Sequence, residues 1–365
     1  MNVNVINKDI EQLINKIECK YQYKDYKSFF NNKKNIMFVN RINGISEIEL
    51  KKEQIINEQI NIDKKIDIEL EKIDSLNIPI IGLKGVFVKD SFYKNIPRTS
   101  NDIDLLVESK NISVLYKCLK KVGYSIELKT LYDFPHIKMK VSPKKYIENT
   151  QTLMLINKTI SIPIDIHNNL NITNAHFKKS NTSFNTQTLF ENSKPFKNYK
   201  NIRVLEMHDN LCFLFRHIMK HHVFYGKTQS GLHTFLQRIV DIATIINSNG
   251  FDEKKLLEKC IEYNIVPEAI YCINLYNKLF VSFKKVDLNN YLKMYYCCKY
   301  KYRIKWERIL FKSLEMPIEN LIIGDFNESF PKLQKAVNFS NSLPLYYANW
   351  FVQGFIINSL IEKLI

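Results

Sequence analysis

The chain has 365 residues, 45% of them hydrophobic, enough to bury a sizeable core in one large domain or two. No stretch approaches the ~20 apolar residues of a membrane-spanning helix, and the start, Met1 to Lys8, lacks the apolar core of a secretory signal. The formal net charge of +16 attracts phosphates on nucleotides, nucleic acid or anionic lipid; it is carried mostly by lysine in a chain crowded with Lys, Asn and Ile, as AT-rich coding sequence would produce, whereas arginine is the more specific phosphate reader.

Residues 1–42 mix short apolar and polar stretches and predict helices. From Ser46 to Ser75 there is no Gly or Pro, and Ile48, Leu50, Ile55, Ile56, Ile60, Ile66, Ile68, Leu70 and Ile73 recur at mostly helical spacing. This predicts one or two long helices, stopped by Asn77-Ile78-Pro79. Ile78 to Leu83 then reads as a strand, Val86 to Phe92 as a short helix, Tyr93 to Ser100 as a loop and Ile103 to Val107 as a second strand. Asn111 to Val122 is an amphipathic helix closed by Gly123. Strands follow at Tyr124 to Leu131, His136 to Val141, Thr152 to Ile156 and Ser161 to His167. The order implies an α+β fold: a small mixed sheet with helices on one face, over residues 77–170.

Residues 171–204 are polar and read as a linker between that core and a helical region, 205–365, with residues 1–76 forming an N-terminal helical region. Within the helical region the clearest helices are Glu206 to His222 and Leu232 to Ser248, followed by Asp252 to Tyr263, Pro267 to Leu279 and Tyr291 to Leu310. The last fifty or so residues carry an aromatic cluster (Phe326, Phe330, Phe339, Tyr346, Trp350 and neighbours), which reads as packing rather than as a ligand-stacking site. The seven cysteines are scattered with no C-x-x-C, against both a disulfide framework and a zinc ribbon, so a reducing cytoplasm is the expected setting.

The chemistry concentrates around Arg98-Thr99-Ser100-Asn101-Asp102-Ile103-Asp104-Leu105-Leu106-Val107. In a strand, Asp102 and Asp104 point to one side while Ile103 points into a core. At ~4 Å and an effective dielectric of ~20, their repulsion is on the order of 4 kcal/mol. A bound divalent cation offsets such a cost, and hard oxygen donors suit Mg2+; the alternative is two acids facing solvent. Gly82-Leu83-Lys84-Gly85, between a strand and a helix, offers a lysine and backbone N–H groups to a triphosphate, or a surface lysine at a turn. Arg98 enters the second strand, placed to contact a phosphate or pair with an acid. Ile164-Asp165-Ile166-His167 supplies a third carboxylate from another apolar strand, the complement a two-metal phosphoryl-transfer site needs. His167 shares a face with Asp165 and reads equally as a packed histidine or as one that orients a carboxylate.

Leu83-Lys84-Gly85, Tyr93, Arg98-x-x-x-Asp102-Ile103-Asp104-Leu105-Leu106-Val107, Leu119-x-x-x-Gly123-Tyr124 and Ile164-Asp165-Ile166-His167 together resemble the family known as uncharacterised nucleotidyltransferases, in the DNA polymerase β-like superfamily. Leu214-x-x-His217-x-x-Lys220-His221 and Leu236-x-x-Ile239-Val240-Asp241-Ile242-Ala243 resemble that family's paired helices, and the likeness covers roughly residues 45–250. It implies an Mg2+-dependent transferase (two ions, with Mn2+ a substitute) that moves a nucleoside monophosphate from an NTP, ATP by default, to a small-molecule, peptide or protein acceptor. Asp102, Asp104 and Asp165 would be the metal and catalytic acids. Lys84, Gly85, Arg98, His217, Lys220 and His221 would bind nucleotide, the last three having a structural role between helices as their alternative. Two departures stand out: the superfamily's usual Gly-Ser pair is Lys84-Gly85 here, and the segment Gly226 to His233 is longer than the family's. A zinc site at His217 and His221 is not expected, because Ile218 stands where zinc proteases place Glu. Two rival readings are an inactive nucleotide- or partner-binding module on the same fold and an RNA-directed transferase.

Overall fold

A computed structural model describes residues 8–9, 12–13, 46–93, 98–126, 152–157, 159–160, 162–171, 182–219 and 235–297. The chain falls into two compact units, one of residues 54–210 and one of residues 1–53 with 211–365. This division differs from the four consecutive segments expected from composition. The first unit carries a seven-stranded mixed sheet in the order β3-β4-β5-β2-β1-β7-β6. The strands are β1 (Ile80–Gly82), β2 (Ile103–Leu106), β3 (Tyr124–Ile126), β4 (Thr152–Asn157), β5 (Ile164–His167), β6 (Lys194–Pro195) and β7 (Ile202–Val204). β2 runs antiparallel to β1 and parallel to β5, while β1 runs parallel to β7. The expected strand at His136 to Val141 lies outside the described residues.

The 29-residue helix α1 (Ser46–Asp74) is continuous. Its Ile66, Leu70 and Ile73 are fully buried, whereas Ile56, Ile60 and Ile68 face outward. Asn77 ends it in the left-handed region, at φ 54°, a conformation Asn tolerates. α2 is Val86–Phe92, the span its sequence predicts, and α3 (Ser109–Lys121) ends before Gly123 at φ 94°. Ile112, Leu115 and Leu119 of α3, with the buried face of α1, cover Ile103, Leu105, Ile164 and Ile166 in one apolar core. Strand alternation therefore sends the intervening residues, Asp104 and Asp165, to the opposite face. A buried tie joins the layers: Tyr124 donates its hydroxyl to Glu69 of α1 at 2.9 Å, and Lys72 pairs with the same carboxylate.

The segment 171–204 is not a bare linker. It supplies α4 (Thr186–Asn192), capped by the Asn185 side chain accepting from the Gln187 and Thr188 N–H groups, and then β6 and β7. Asp74 at the end of α1 accepts the Asn201 and Lys200 N–H groups at 2.6 and 3.1 Å, and this anchors β7 beside β1. Its polar composition hid two very short strands whose apolar content is little more than Ile202 and Val204.

In the second unit, α5 (Met207–Met219) enters from the first, and α6 (Phe235–Ile246), α7 (Glu253–Glu262), α8 (Val266–Leu279) and α9 (Asn289–Cys297) follow. α8 is buried nearly all round, as a central helix must be. None of the five described cysteines forms a disulfide; the Cys212 and Cys260 sulfurs lie 3.9 Å apart as a thiol pair. Among the described residues no helix is long and apolar enough to cross a membrane. The aromatic cluster of the last fifty or so residues lies outside the described residues.

Candidate active site

Three neighbouring strands, β5, β2 and β1, assemble the site. The parallel register of β2 and β5 sets Asp104 directly opposite Asp165. The ladder is pinned on either side of them by the Ile103 N–H donating to Pro163 O at 3.0 Å and the Val107 N–H donating to His167 O at 2.8 Å. On the other flank the Leu83 N–H donates to the Asp104 carbonyl at 3.1 Å and extends the β1–β2 pairing by one step, which delivers the next residue, Lys84, to the carboxylates.

Lys84 Nζ lies 2.9 Å from Asp104 Oδ1 and 3.8 Å from Asp102 Oδ2. Asp102 and Asp104 thus address one cation from one side, as their spacing predicts, but in unequal settings: the Asp104 side chain is 0% exposed and that of Asp102 is 40% exposed. His167 Nε2 stands 3.6 Å from the same Asp104 oxygen. One ligand atom each from Asp104, Asp165 and His167 falls within 4.8 Å of the others.

The electrostatics follow from burial. Desolvation alone would raise the Asp104 pKa, but Lys84 and His167 outweigh it and hold it at about 2. For Lys84, burial favours the neutral amine; the charges of Asp104 and Asp102 reverse that and raise the ammonium above its ordinary value. Asp165 is pushed up, first by burial and further by the Asp104 charge, against the opposing pull of His167 and Lys84. Asp104 Oδ2 and Asp165 Oδ1 are buried, with no hydrogen-bond donor among the described residues. Buried carboxylate oxygens left in that state are costly, and a divalent cation between them is the partner that their chemistry fits.

Gly85 sits at φ 66°, ψ −125°, a conformation open to glycine, and a Cβ there would come within 2.5 Å of Ser100 Oγ. The loop entering β2 is therefore pressed against the Lys84-Gly85 turn. Gln59 of α1 clamps that loop: its amide oxygen accepts the Ser100 N–H at 3.1 Å and its amide nitrogen donates to Ser100 O at 2.9 Å. Gln59 also donates to Asp63, which pairs with Lys89 of α2. No local signal marks Gln59, because its partner is 41 residues away. Arg98 is buried, with its guanidinium 5.9 Å above the Tyr93 ring and Nη1 3.4 Å from Thr99 O.

His217 lies on α5, its ring 5.8 Å from that of Phe213. Lys220 and His221 lie outside the described residues. Asp241, on α6, is buried and accepts from Gln237 at 3.2 Å.

Comparison with known families adds one finding. The sequence model of a family described as "Uncharacterised nucleotidyltransferase" matches residues 51–281, a span that takes in every residue of the carboxylate cluster and most of the described helical unit. No curated protein and no solved structure matches the chain.

Proposed function

The chain belongs to the uncharacterised nucleotidyltransferase family and is a transferase of that class; from that premise we propose that it moves a nucleoside monophosphate from an NTP to a small-molecule, peptide or protein acceptor, with Mg2+ or Mn2+ as the ion. The observation that carries this reading is the in-register meeting of Asp104 and Asp165 beside Lys84. Asp102, Asp104 and Asp165 would hold the divalent ions, which neutralise the triphosphate and the departing pyrophosphate. Three carboxylates against the single ammonium of Lys84 leave two negative charges, matched by one divalent ion. A second ion would arrive with the nucleotide.

The acceptor hydroxyl attacks the α-phosphorus, the bond from that phosphorus to the bridging oxygen breaks, and pyrophosphate leaves with the electron pair. Asp165, on β5 opposite Asp104, takes the hydroxyl proton. Lys84 and the Gly85 amide contact phosphate. Arg98 shares in phosphate binding or, held under Tyr93, stiffens the loop that presents Asp102. For His217, Lys220 and His221 a nucleotide-binding role rests on the sequence resemblance alone. ATP is the default donor, and a cytoplasmic setting fits the free cysteines among the described residues.

The test is to incubate the purified protein with each common NTP, labelled at the α-phosphate, plus Mg2+ and cleared lysate, and to identify labelled products by mass. One NTP should transfer label to a discrete acceptor, and Asp104→Asn should transfer none while remaining folded. Equal labelling by Asp104→Asn would remove the metal-acid assignment. No transfer from any NTP would favour an inactive nucleotide-binding module.

A further inference from the structure

We infer that His167 is the third protein ligand of the ion held by Asp104 and Asp165, and that its nitrogen makes this position selective for Mn2+ over Mg2+. The inference rests on the metal-dependent reading above and departs from an all-carboxylate site.

The geometry comes from β5. His167 lies two residues beyond Asp165 on the same strand, so both side chains leave the same face. His167 Nε2 approaches Asp104 Oδ1 to 3.6 Å, and no two donor atoms of the trio are more than 4.8 Å apart. Around an octahedral ion with bonds of ~2.1 Å, adjacent donors lie about 3 Å apart and opposite donors about 4.2 Å apart. Small side-chain rotations bring the three atoms into that range. Asp102, more exposed and reached by Lys84 at 3.8 Å, lies outside this trio and is left to the nucleotide-facing side.

The charge supports a ligand rather than a countercharge. One divalent ion already neutralises the three carboxylates and Lys84. A neutral imidazole then completes the shell without adding charge, whereas an imidazolium would leave the cluster with an excess positive charge. Mg2+ prefers oxygen donors and sheds water reluctantly, while imidazole suits transition ions. The Asp104 and Asp165 carboxylates with one imidazole therefore favour Mn2+ over Mg2+.

Pulsed electron paramagnetic resonance on the Mn2+-loaded full chain tests this without a turnover assay. The expected spectrum carries modulation from a directly bound nitrogen, and that pattern changes when the protein is made with 15N-histidine, a substitution that leaves folding untouched. Asp104→Asn should abolish the signal, which separates this site from the other histidines. His167→Gln should weaken Mn2+ binding at least about tenfold, since disturbing even outer partners of a metal site costs ~10–100-fold. Its Mg2+ affinity should change less, so that the Mn2+ preference shrinks. Mn2+ bound in an Asp104-dependent way but with no histidine nitrogen, or bound equally by His167→Gln, overturns the ligand assignment and leaves the transferase reading standing. Mn2+ binding indifferent to Asp104→Asn, or no Mn2+ binding, overturns the metal-dependent reading itself and this inference with it.

Discussion

Replacing Asp165 by Asn should make the metal-free protein more stable while removing its response to divalent ions. The two acids face each other in register, and their ligand oxygens fall within 4.8 Å. At that separation and an effective dielectric of ~20, their repulsion is about 3 kcal/mol. Lys84 and His167 offset part of it, but burial and the Asp104 charge together push the Asp165 pKa up. The sign follows: a carboxylate whose folded-state pKa is raised contributes fully below its ordinary value and loses that contribution as pH rises through the raised one, so the ionised group costs stability. The isosteric amide removes that cost, for a gain on the order of 1–2 kcal/mol, or about 3–6 °C in a unit of this size. Thermal melts of wild type and Asp165→Asn, each with chelator and with Mn2+, decide the matter. Wild type should rise on adding Mn2+ and the variant should not. A variant that melts below wild type in chelator, or that keeps the full Mn2+-induced rise, would refute the reasoning.

Lys84→Ala should shift two affinities in opposite directions. Nucleotide binding should weaken at least about tenfold, the loss of one charge-assisted contact worth ~1.5–3 kcal/mol, while nucleotide-free Mn2+ binding should tighten because a competing cation is gone. A fluorescent NTP and calorimetry read the two, and unchanged nucleotide affinity would end the phosphate role. Gln59→Ala strands the Ser100 N–H and C=O in a buried loop, so we expect about 1–3 kcal/mol of lost stability. Transfer should fall further than the unfolded fraction explains, because the same loop carries Asp102; a variant with wild-type turnover would show that the clamp does not position the site. Tyr124→Phe leaves Glu69, 1% exposed, without its hydroxyl donor and should cost ~1.5–3 kcal/mol by chemical denaturation. Burial, reinforced by Glu69, raises the Tyr124 pKa far above its ordinary value. Its contribution is therefore complete below pH ~10 and lost above it, and the alkaline decline in melting temperature should be shallower in the variant.

What is local was readable along the chain. Ile66, Leu70 and Ile73 recur at helical spacing, and α1 buries them; Ile164 and Ile166 flank Asp165 at strand spacing, and β5 buries the two isoleucines and turns the acid away. The polar stretch 171–204 resisted because β6 and β7 have two and three residues and exist only through pairing and through Asp74. His167 stayed ambiguous for a related reason: on its own strand it is one more polar residue, and its meaning comes from the 3.6 Å approach to an acid on β2.

By itself, the sequence determined the periodicities, the D-x-D strand, the third acid and the family, because side-chain alternation and helical repeat are written in neighbouring residues. Only the tertiary structure decided that β2 and β5 run parallel with Asp104 opposite Asp165, that Lys84 enters between the acids, that Gln59 grips Ser100 from another layer, and that Asp104 is sealed while Asp102 is open. Register between strands separated by some sixty residues is set by how whole faces pack. No local pattern carries that information, and the charge distribution of the site depends on it.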